Sequence, residues 1–145
     1  MGDGRYVGID PGTSKCGYAV LSSAGERLAL EVIPADQLLV RVERDVAAGV
    51  RVVCVGDATR SRSVLTQLRA RWPDLRIELV DERNTSLQAR LRYYQDHPPR
   101  GIWRFVPRGL LVPKAALDGY AALLIVERFL GGQGHAARAP APEQA

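Results

Sequence analysis

Histidine and cysteine are scarce in this 145-residue chain, which has two of each. The cysteines, Cys16 and Cys54, stand among apolar residues of predicted strands. We therefore expect buried free thiols rather than a disulfide, and no cysteine spacing typical of a metal site is present. The histidines, His97 and His135, fall in a predicted loop and a predicted tail. A histidine-ligated zinc site and a histidine-based catalytic triad are therefore not expected.

Long apolar runs are absent as well. No stretch approaches the roughly 20 apolar residues that a membrane-spanning helix needs, and the segment from Met1 to Arg5 lacks the apolar core of a signal peptide. We therefore expect a cytoplasmic protein without a membrane partner. A length of 145 residues, 46% of them hydrophobic, is enough for one domain with one core.

Lysine is rare among the basic residues, because only two of the 20, Lys15 and Lys114, are lysine. The formal net charge is +4 and the pI is about 9.4, which is compatible with a polyanionic partner. Arginine suits bidentate phosphate contacts, but a GC-rich genome would give the same bias. The positions of the arginines are therefore more informative than their number.

The apolar pattern predicts five strands and four helices in the order β-β-β-α-β-α-β-α-α. The predicted strands cover residues 4–10, 16–22, 26–33, 50–55 and 76–80. The predicted helices cover residues 37–48 (capped by Asp36), 63–72, 85 to the prolines at 98 and 99, and 114–130. Short links make the first three strands antiparallel neighbours, and helical crossovers make the others parallel. The predicted fold is α/β, a five-stranded mixed sheet with helices on both faces.

Composition also predicts the ends of the domain. Residues 100–113 have no regular period and contain several glycines and prolines, which predicts a long loop. The stretch after residue 131 is rich in glycine, alanine and proline, and we expect it to be disordered. The predicted domain therefore covers residues 1–131, followed by a tail over 132–145.

Asp10 stands at the end of the first predicted strand, before the turn residues Pro11 and Gly12. An aspartate is a poor strand residue, and in a buried sheet it needs a cation, a metal or a network of donors. An ordinary turn role for Asp10 is equally compatible with this stretch alone.

Other carboxylates are predicted at the same rim. Asp81 and Glu82 follow the last strand, and Asp57 follows the fourth. Asp118 lies on the apolar face of the last helix, where a carboxylate is costly unless it is paired or bound to a metal. We therefore expect Asp10, Glu82 and Asp118 to meet. Oxygen ligands select Mg²⁺ or Mn²⁺, and two such ions can catalyse phosphodiester hydrolysis.

The acids also have simpler interpretations. Asp118 could pair with Lys114, and Glu82 with Arg83, as ordinary surface ion pairs. Strand alternation points Asp81 and Glu82 to opposite faces, and the pattern alone leaves open which of them meets Asp10.

Three segments resemble the YqgF (RuvX) family of RNase H-like nucleases, relatives of the RuvC Holliday junction resolvases. They are Gly8-Ile9-Asp10-Pro11-Gly12, Val80-Asp81-Glu82-Arg83-Asn84-Thr85-Ser86 and Leu117-Asp118-Gly119-Tyr120-Ala121-Ala122. The resemblance covers the chain up to about Leu130. It implies an RNase H-like fold, a nuclease that depends on Mg²⁺ or Mn²⁺, and catalytic, metal-binding roles for Asp10, Glu82 and Asp118.

The resemblance also implies a substrate. The family is linked mainly to maturation of the 16S ribosomal RNA 5′ end, which makes ribosomal precursor particles possible partners, and by its older name to Holliday junction resolution. This chain departs from the pattern at two places. Asp57-Ala58 follow Gly56 where the family commonly has Leu-Pro, and Lys114 and Ala115 stand where resolvases carry a second acid. Both departures weaken the expectation of a four-carboxylate site.

Basic residues flank the predicted site. We expect nucleic-acid contacts from the following side chains: Lys15, Arg60, Arg62, Arg83, Arg100, Arg104 and Arg108. Tyr93, Tyr94, Trp103 and Phe105 are interleaved with them, and arginines with aromatic residues suit phosphate contact and base stacking. The alternative is that Tyr94 and Trp103 belong to the core and that the arginines form a solvated face.

Three functions are therefore weighed from the sequence. The first is a metal-dependent nuclease acting on RNA. The second is a Holliday junction or branched-DNA nuclease in repair and recombination, which needs two active sites and hence a dimer. The third is a nucleic-acid-binding module with a weak or lost catalytic site. The sequence does not distinguish a monomer from a homodimer.

Overall fold

The computed structural model describes residues 4–57, 60–81, 85–97 and 114–138. Within these residues the chain forms five strands, four helices and one short 3₁₀ turn. The strands are β1 (Arg5–Asp10), β2 (Lys15–Ser22), β3 (Arg27–Pro34), β4 (Val50–Gly56) and β5 (Arg76–Val80). The helices are α1 (Leu38–Ala47), α2 (Ser61–Arg71), α3 (Thr85–Asp96) and α4 (Lys114–Arg138).

The strands form one sheet in the order β3-β2-β1-β4-β5. The first three strands are antiparallel neighbours because their links are too short for a crossover. Strands β1, β4 and β5 are parallel, and the connections through α1 and α2 supply the crossovers. The predicted α/β fold with a mixed five-stranded sheet is confirmed.

Strand alternation divides the core between the two faces of the sheet. Helices α1 and α2 cover one face, where β-branched side chains of the three central strands pack on Leu38, Val42 and Leu68. Helices α3 and α4 cover the other face, where Ala122, Ile125 and their neighbours pack on the remaining strand positions. The predicted helices on both faces are therefore present. We name these the α1/α2 face and the α4 face.

Helix α4 lies unusually close to the sheet at two glycines. A Cβ atom on Gly8 would lie 2.2 Å from the carbonyl oxygen of Ala122, and one on Gly17 would lie 1.7 Å from that of Asp118. Real Cβ atoms do not approach an atom this closely, so any larger residue at either position would push the helix away. The two glycines therefore fix the height of α4 above β1 and β2.

Several element ends differ from the prediction. Asp36 lies inside a 3₁₀ turn, Ala35–Gln37, and α1 starts after Gln37 without a side-chain cap. The turn forms because Pro34 ends β3 and the amide of Ala35 immediately donates to the carbonyl of Ser14. Gly49 does end this region as predicted, with a left-handed φ of 96°.

Helix α4 is longer than predicted. It continues past Leu130 to Arg138, into the stretch that its composition assigned to a disordered tail. This stretch holds three glycines but no proline before Pro140, so no residue in it blocks the helical hydrogen bonds, and the glycines do not end the helix. The division into a domain over 1–131 and a tail over 132–145 stays a prediction.

Candidate active site

Asp10 is placed by the sheet itself. It is the last residue of β1, it lies directly opposite Gly17 of β2, and its side chain is half-buried. Alternation along β1 puts Ile9 on the α1/α2 face and Asp10 on the α4 face. The predicted position of Asp10 at the end of the first strand is confirmed, and its carboxylate faces the side of the sheet that α4 covers.

Asp118 lies next to Asp10 on the α4 face of the sheet. It lies on α4, is half-buried, and its carbonyl oxygen packs against Gly17. Directly opposed residues in a sheet have Cβ atoms about 4.5–5.5 Å apart, so the Asp118 carbonyl oxygen lies within about 7 Å of the Asp10 Cβ atom. The structure therefore brings together two of the three predicted acids.

The charges of Asp10 and Asp118 both affect the pKa of the Cys16 thiol. Burial is the main cause that raises the pKa of Cys16, and the negative charges of Asp10 and Asp118 raise the pKa further because they disfavour a thiolate. A backbone hydrogen bond from Gly12 acts in the opposite direction. Two charges that act on one thiol lie at one edge of the sheet. The thiol is free and buried, as predicted.

The ends of the two parallel strands beside β1 are also at this edge. Gly56 pairs with Val80, and the amide of Asp57 donates to the carbonyl of Val80 at 2.8 Å. The carbonyl of Asp81 accepts a hydrogen bond from Arg128 of α4 at 2.6 Å. The chain therefore reaches the edge that holds Asp10 just before Glu82.

The third predicted acid, Glu82, lies outside the described residues. Across 4–57, 60–81, 85–97 and 114–138, no group of three histidine, cysteine, aspartate or glutamate side chains is arranged to hold a metal ion. Asp10 and Asp118 supply oxygen ligands from two segments, and such ligands fit Mg²⁺ or Mn²⁺. Whether Glu82, Asp81 or Asp57 completes the set stays a prediction.

Three of the predicted nucleic-acid contacts fall on described residues, and all three are exposed. Lys15 begins β2, Arg60 precedes α2, and Arg62 lies in its first turn. Arg60 also lines a cavity of 130 Å³ together with Thr13 of the turn after Asp10. These cations therefore border the edge that carries Asp10. The other four, Arg83, Arg100, Arg104 and Arg108, lie outside the described residues, as do Trp103 and Phe105.

Arg92 has a different role from the one its neighbourhood suggests. Although it belongs to the basic stretch of the sequence, both of its terminal nitrogens donate to Glu127 of α4, one of them at 3.2 Å. This pairing raises the pKa of Arg92. The side chain therefore holds α3 against α4. Tyr94 is buried, which agrees with its core interpretation.

One feature near the site was not predicted. A groove of 390 Å³ runs between the edge strand β3 and the first turns of α4, and Tyr93, His97 and Tyr120 line it. The i, i+4 spacing of Tyr93 and His97 on a helix was the available signal. It was missed because His97 falls at the predicted helix end and Tyr120 lies on the opposite side of the long loop in sequence.

Comparison with known proteins gives a fold neighbour. No protein-family model and no curated protein matches the chain. The crystal structure of a fowlpox virus resolvase in complex with substrate Holliday junction DNA superposes with a TM-score of 0.55 and 13% sequence identity. The match covers 89% of this chain and 98% of the resolvase chain. The fold is RNase H-like, similar to that resolvase.

Among the helices that the structure describes, none has the length and the apolar character needed to cross a bilayer.

Proposed function

We propose that this protein is a metal-dependent nuclease that hydrolyses phosphodiester bonds. One observation carries the proposal: the main-chain carbonyl of Asp118 packs on Gly17, the cross-strand partner of Asp10, so two acidic residues from distant segments lie at one edge of an RNase H-like sheet. Asp118 lies on the face of a helix whose neighbours are core residues, and an aspartate in that position is costly unless it has a ligand or a partner. A pair of surface caps would not require this convergence.

Asp10 and Asp118 would hold the Mg²⁺ or Mn²⁺ ions, two in number, with Glu82 as the third acid. Such ions supply charge stabilisation at the transferring phosphoryl group and lower the pKa of a bound water. The match of Glu82 to an acidic position of the YqgF family supports Glu82 over Asp81 as the partner of Asp10.

The chain's own cations would position the substrate. Lys15 is exposed directly after the turn that follows Asp10, Arg60 is exposed beside that turn, and Arg62 is exposed in the first turn of α2. Backbone phosphates are the expected partners, because arginine and lysine neutralise phosphates irrespective of base sequence. Arg83, Arg100, Arg104 and Arg108 are proposed to extend this surface.

RNA is the first proposed substrate, through 5′-end maturation of the 16S ribosomal RNA precursor. This choice rests on the resemblance to the YqgF family. A Holliday junction or branched DNA is the second, and the fold neighbour, a resolvase in complex with junction DNA, favours it. The second substrate requires a homodimer, because symmetric cleavage needs two sites. The third hypothesis, a binding module, predicts nucleic-acid binding without cleavage.

A cleavage assay tests the proposal. The full chain and its Asp10→Asn and Asp118→Asn variants are incubated with single-stranded RNA, single-stranded DNA and a four-way junction, each with Mg²⁺, Mn²⁺ or chelator. Asp74→Asn is the matched control, because Asp74 is exposed in the link before β5, at the opposite edge of the sheet. Thermal unfolding of each variant checks that the fold is kept.

We expect metal-dependent cleavage by the parent and by Asp74→Asn, and a loss of at least 10²-fold in the other two variants. The preferred substrate then separates RNA processing from recombination. Cleavage that persists in either Asp10→Asn or Asp118→Asn would contradict the proposed site. Binding without cleavage by any of the folded proteins would favour the binding module.

A further inference from the structure

The groove beside α4 has an aromatic wall that is held in place from behind. The ring of His97 stacks on that of Tyr93, with centroids 4.5 Å apart and planes inclined by 21°. Tyr93 in turn meets Tyr94 and Tyr120 edge to face, each at 5.8 Å. Tyr94 and Tyr120 are buried, so the outer pair rests on a packed support. This is a rigid stacking surface that needs little ordering on binding a ligand.

The groove carries little net charge. Asp96 beside it is paired with Arg27 at 2.9 Å and also accepts a hydrogen bond from the Tyr120 hydroxyl. Glu31 on the bordering strand is paired with Arg41 at 3.3 Å. Each acid is thus neutralised by an arginine. A neutral aromatic ligand fits these walls, whereas a phosphate would find no unpaired cation among the groove residues that the structure describes.

An edge strand of the sheet borders the groove. Strand β3 is an edge strand of the described sheet, since it pairs with β2 alone. Leu30 and Val32 of this strand line the groove, and an edge strand presents unpaired N–H and C=O groups along its outer side. The polar edge of a flat heterocycle could use these groups while its face stacks on the rings. The volume of 390 Å³ suits one nucleoside rather than a duplex.

The groove adjoins the proposed active site. Asp10, Gly17 and Val32 form one cross-strand row over β1, β2 and β3. At a strand spacing of about 4.8 Å, the Val32 Cα atom lies about 10 Å from that of Asp10, on the same face of the sheet. Gly119, which follows Asp118, lines the groove as well. A nucleic-acid strand with a phosphate at Asp10 and Asp118 can therefore reach the groove with a nearby base.

We propose that this groove binds one unpaired nucleobase of a single-stranded substrate, stacked on the rings of Tyr93 and His97. The position of that base relative to the cleaved bond rests on the proposed nuclease function, whereas the binding itself does not. The groove would select substrates with an unstacked base close to the bond that is cut, because a base within a duplex cannot enter it.

The test measures binding separately from cleavage. The full chain carrying Asp10→Asn, in chelator, is titrated with fluorescent 12-nucleotide RNA and DNA single strands at several salt concentrations. His97→Ala and Tyr93→Leu are added to this parent, and Gln95→Ala is the matched control, since Gln95 is exposed on the same helix and does not line the groove. Size-exclusion chromatography of each variant reports its oligomeric state.

We expect His97→Ala and Tyr93→Leu to weaken binding by roughly 5- to 150-fold, the range for losing one base–aromatic stack. The slope of log affinity against log salt should stay unchanged, whereas Arg60→Gln should reduce it by about 0.7. Gln95→Ala should bind like the parent. The RNA and DNA arms identify the sugar that the groove accepts, and a loss in either arm supports the proposal.

A strand with a single abasic site at successive positions completes the test. At the position whose base occupies the groove, the abasic strand should bind the parent as weakly as it binds His97→Ala. The proposal would be overturned if the abasic site had the same effect at every position and the groove variants bound like the parent. It would also be overturned if the groove variants changed the oligomeric state without changing the affinity. If the groove variants bind normally while the wild-type chain cleaves, the groove assignment fails and the nuclease stands. The reverse result would reject the nuclease alone.

Discussion

Both faces of the sheet carry carboxylates that are shielded from solvent, but the surroundings of these carboxylates differ between the faces. On the α1/α2 side, Asp45 is 1% exposed and is fully enclosed by Arg5, Arg41 and the Tyr18 hydroxyl, with oxygen contacts of 2.9 Å to Arg5 and 2.6 Å to Tyr18. On the α4 side, Asp10 and Asp118 are half-buried at the edge of the sheet.

This difference separates a stabilising cluster from the proposed site. The Asp45 cluster ties α1 to β1 and β2 through donors that leave no room for a ligand. Burial is the main cause that raises the pKa of Tyr18 there, and the hydrogen bond to Asp45 adds to it. Asp10 and Asp118 instead converge where two glycines let a helix lie on the sheet, and the edge position keeps them within reach of solvent and of a substrate.

Removing the Asp45 carboxylate should have the largest effect on stability. We expect Asp45→Ala to lower the free energy of unfolding by about 3–5 kcal/mol, because two arginines and the Tyr18 hydroxyl lose a buried partner. Urea denaturation followed by circular dichroism measures this. Any nuclease activity per folded molecule should be unchanged. A variant as stable as the parent would show that the Asp45 cluster does not hold the α1/α2 face together.

Adding a side chain at Gly17 should affect both stability and activity. A Cβ atom at this position would overlap the Asp118 carbonyl oxygen, so Gly17→Ala must displace α4. We expect a loss of about 3 kcal/mol, together with the loss of cleavage at temperatures where the variant is still folded. Gly131→Ala is the control, because no atom outside its own turn of helix lies within 4 Å of its added Cβ, and it should leave the protein as stable or more stable. An active, stable Gly17→Ala variant would contradict the described contact.

Ionisation of the Cys54 thiol should have a smaller, pH-dependent effect on the free energy of unfolding. Burial is the main cause that raises the pKa of Cys54 from 9.0 to about 12, and the charge of Glu78 adds to it. The pKa of Cys54 is higher in the folded protein than in the unfolded chain. Its contribution to the free energy of unfolding is therefore complete below pH 9 and is lost as the pH rises towards 12.

Between pH 9 and pH 10, Cys54 should therefore lower the free energy of unfolding by about 1 kcal/mol. Urea denaturation at the two pH values measures the change, and in Cys54→Ala the change should be smaller by that amount. The same pH dependence in parent and variant would show that this thiol is not buried in the folded protein.

Much of the fold could be predicted from the sequence because its signals are local. The short links before Lys15 and Arg27 dictate antiparallel strands, and the β-branched run of β4 requires burial on both faces. The convergence of Asp10 and Asp118 also followed from strand ends and helix periodicity. The helix ends were less predictable, since at Asp36 the turn after Pro34 overrides a capping signal, and after Leu130 the helix continues through three glycines.

The parts of the site that depend on tertiary contacts could not be predicted. Gly17 reads as an ordinary small residue in a strand, and only the position of α4 shows that it is the contact point for Asp118. The groove combines β3, α3 and α4, so no single segment signals it. Arg92 belongs to a basic stretch in sequence, yet its partner Glu127 lies on another helix.

The central claim is that Asp10 and Asp118 hold the same divalent ions, and a Mn²⁺ titration tests it most directly. Thermal unfolding is followed with increasing Mn²⁺ for the parent, Asp10→Asn, Asp118→Asn, the double variant and Asp74→Asn. A bound ion should stabilise the parent and Asp74→Asn by about 2.7 kcal/mol at 100 times its dissociation constant. We predict that both single variants lose this stabilisation and that the double variant loses no more. Stabilisation by Mn²⁺ that persists undiminished in either single variant would contradict the claim.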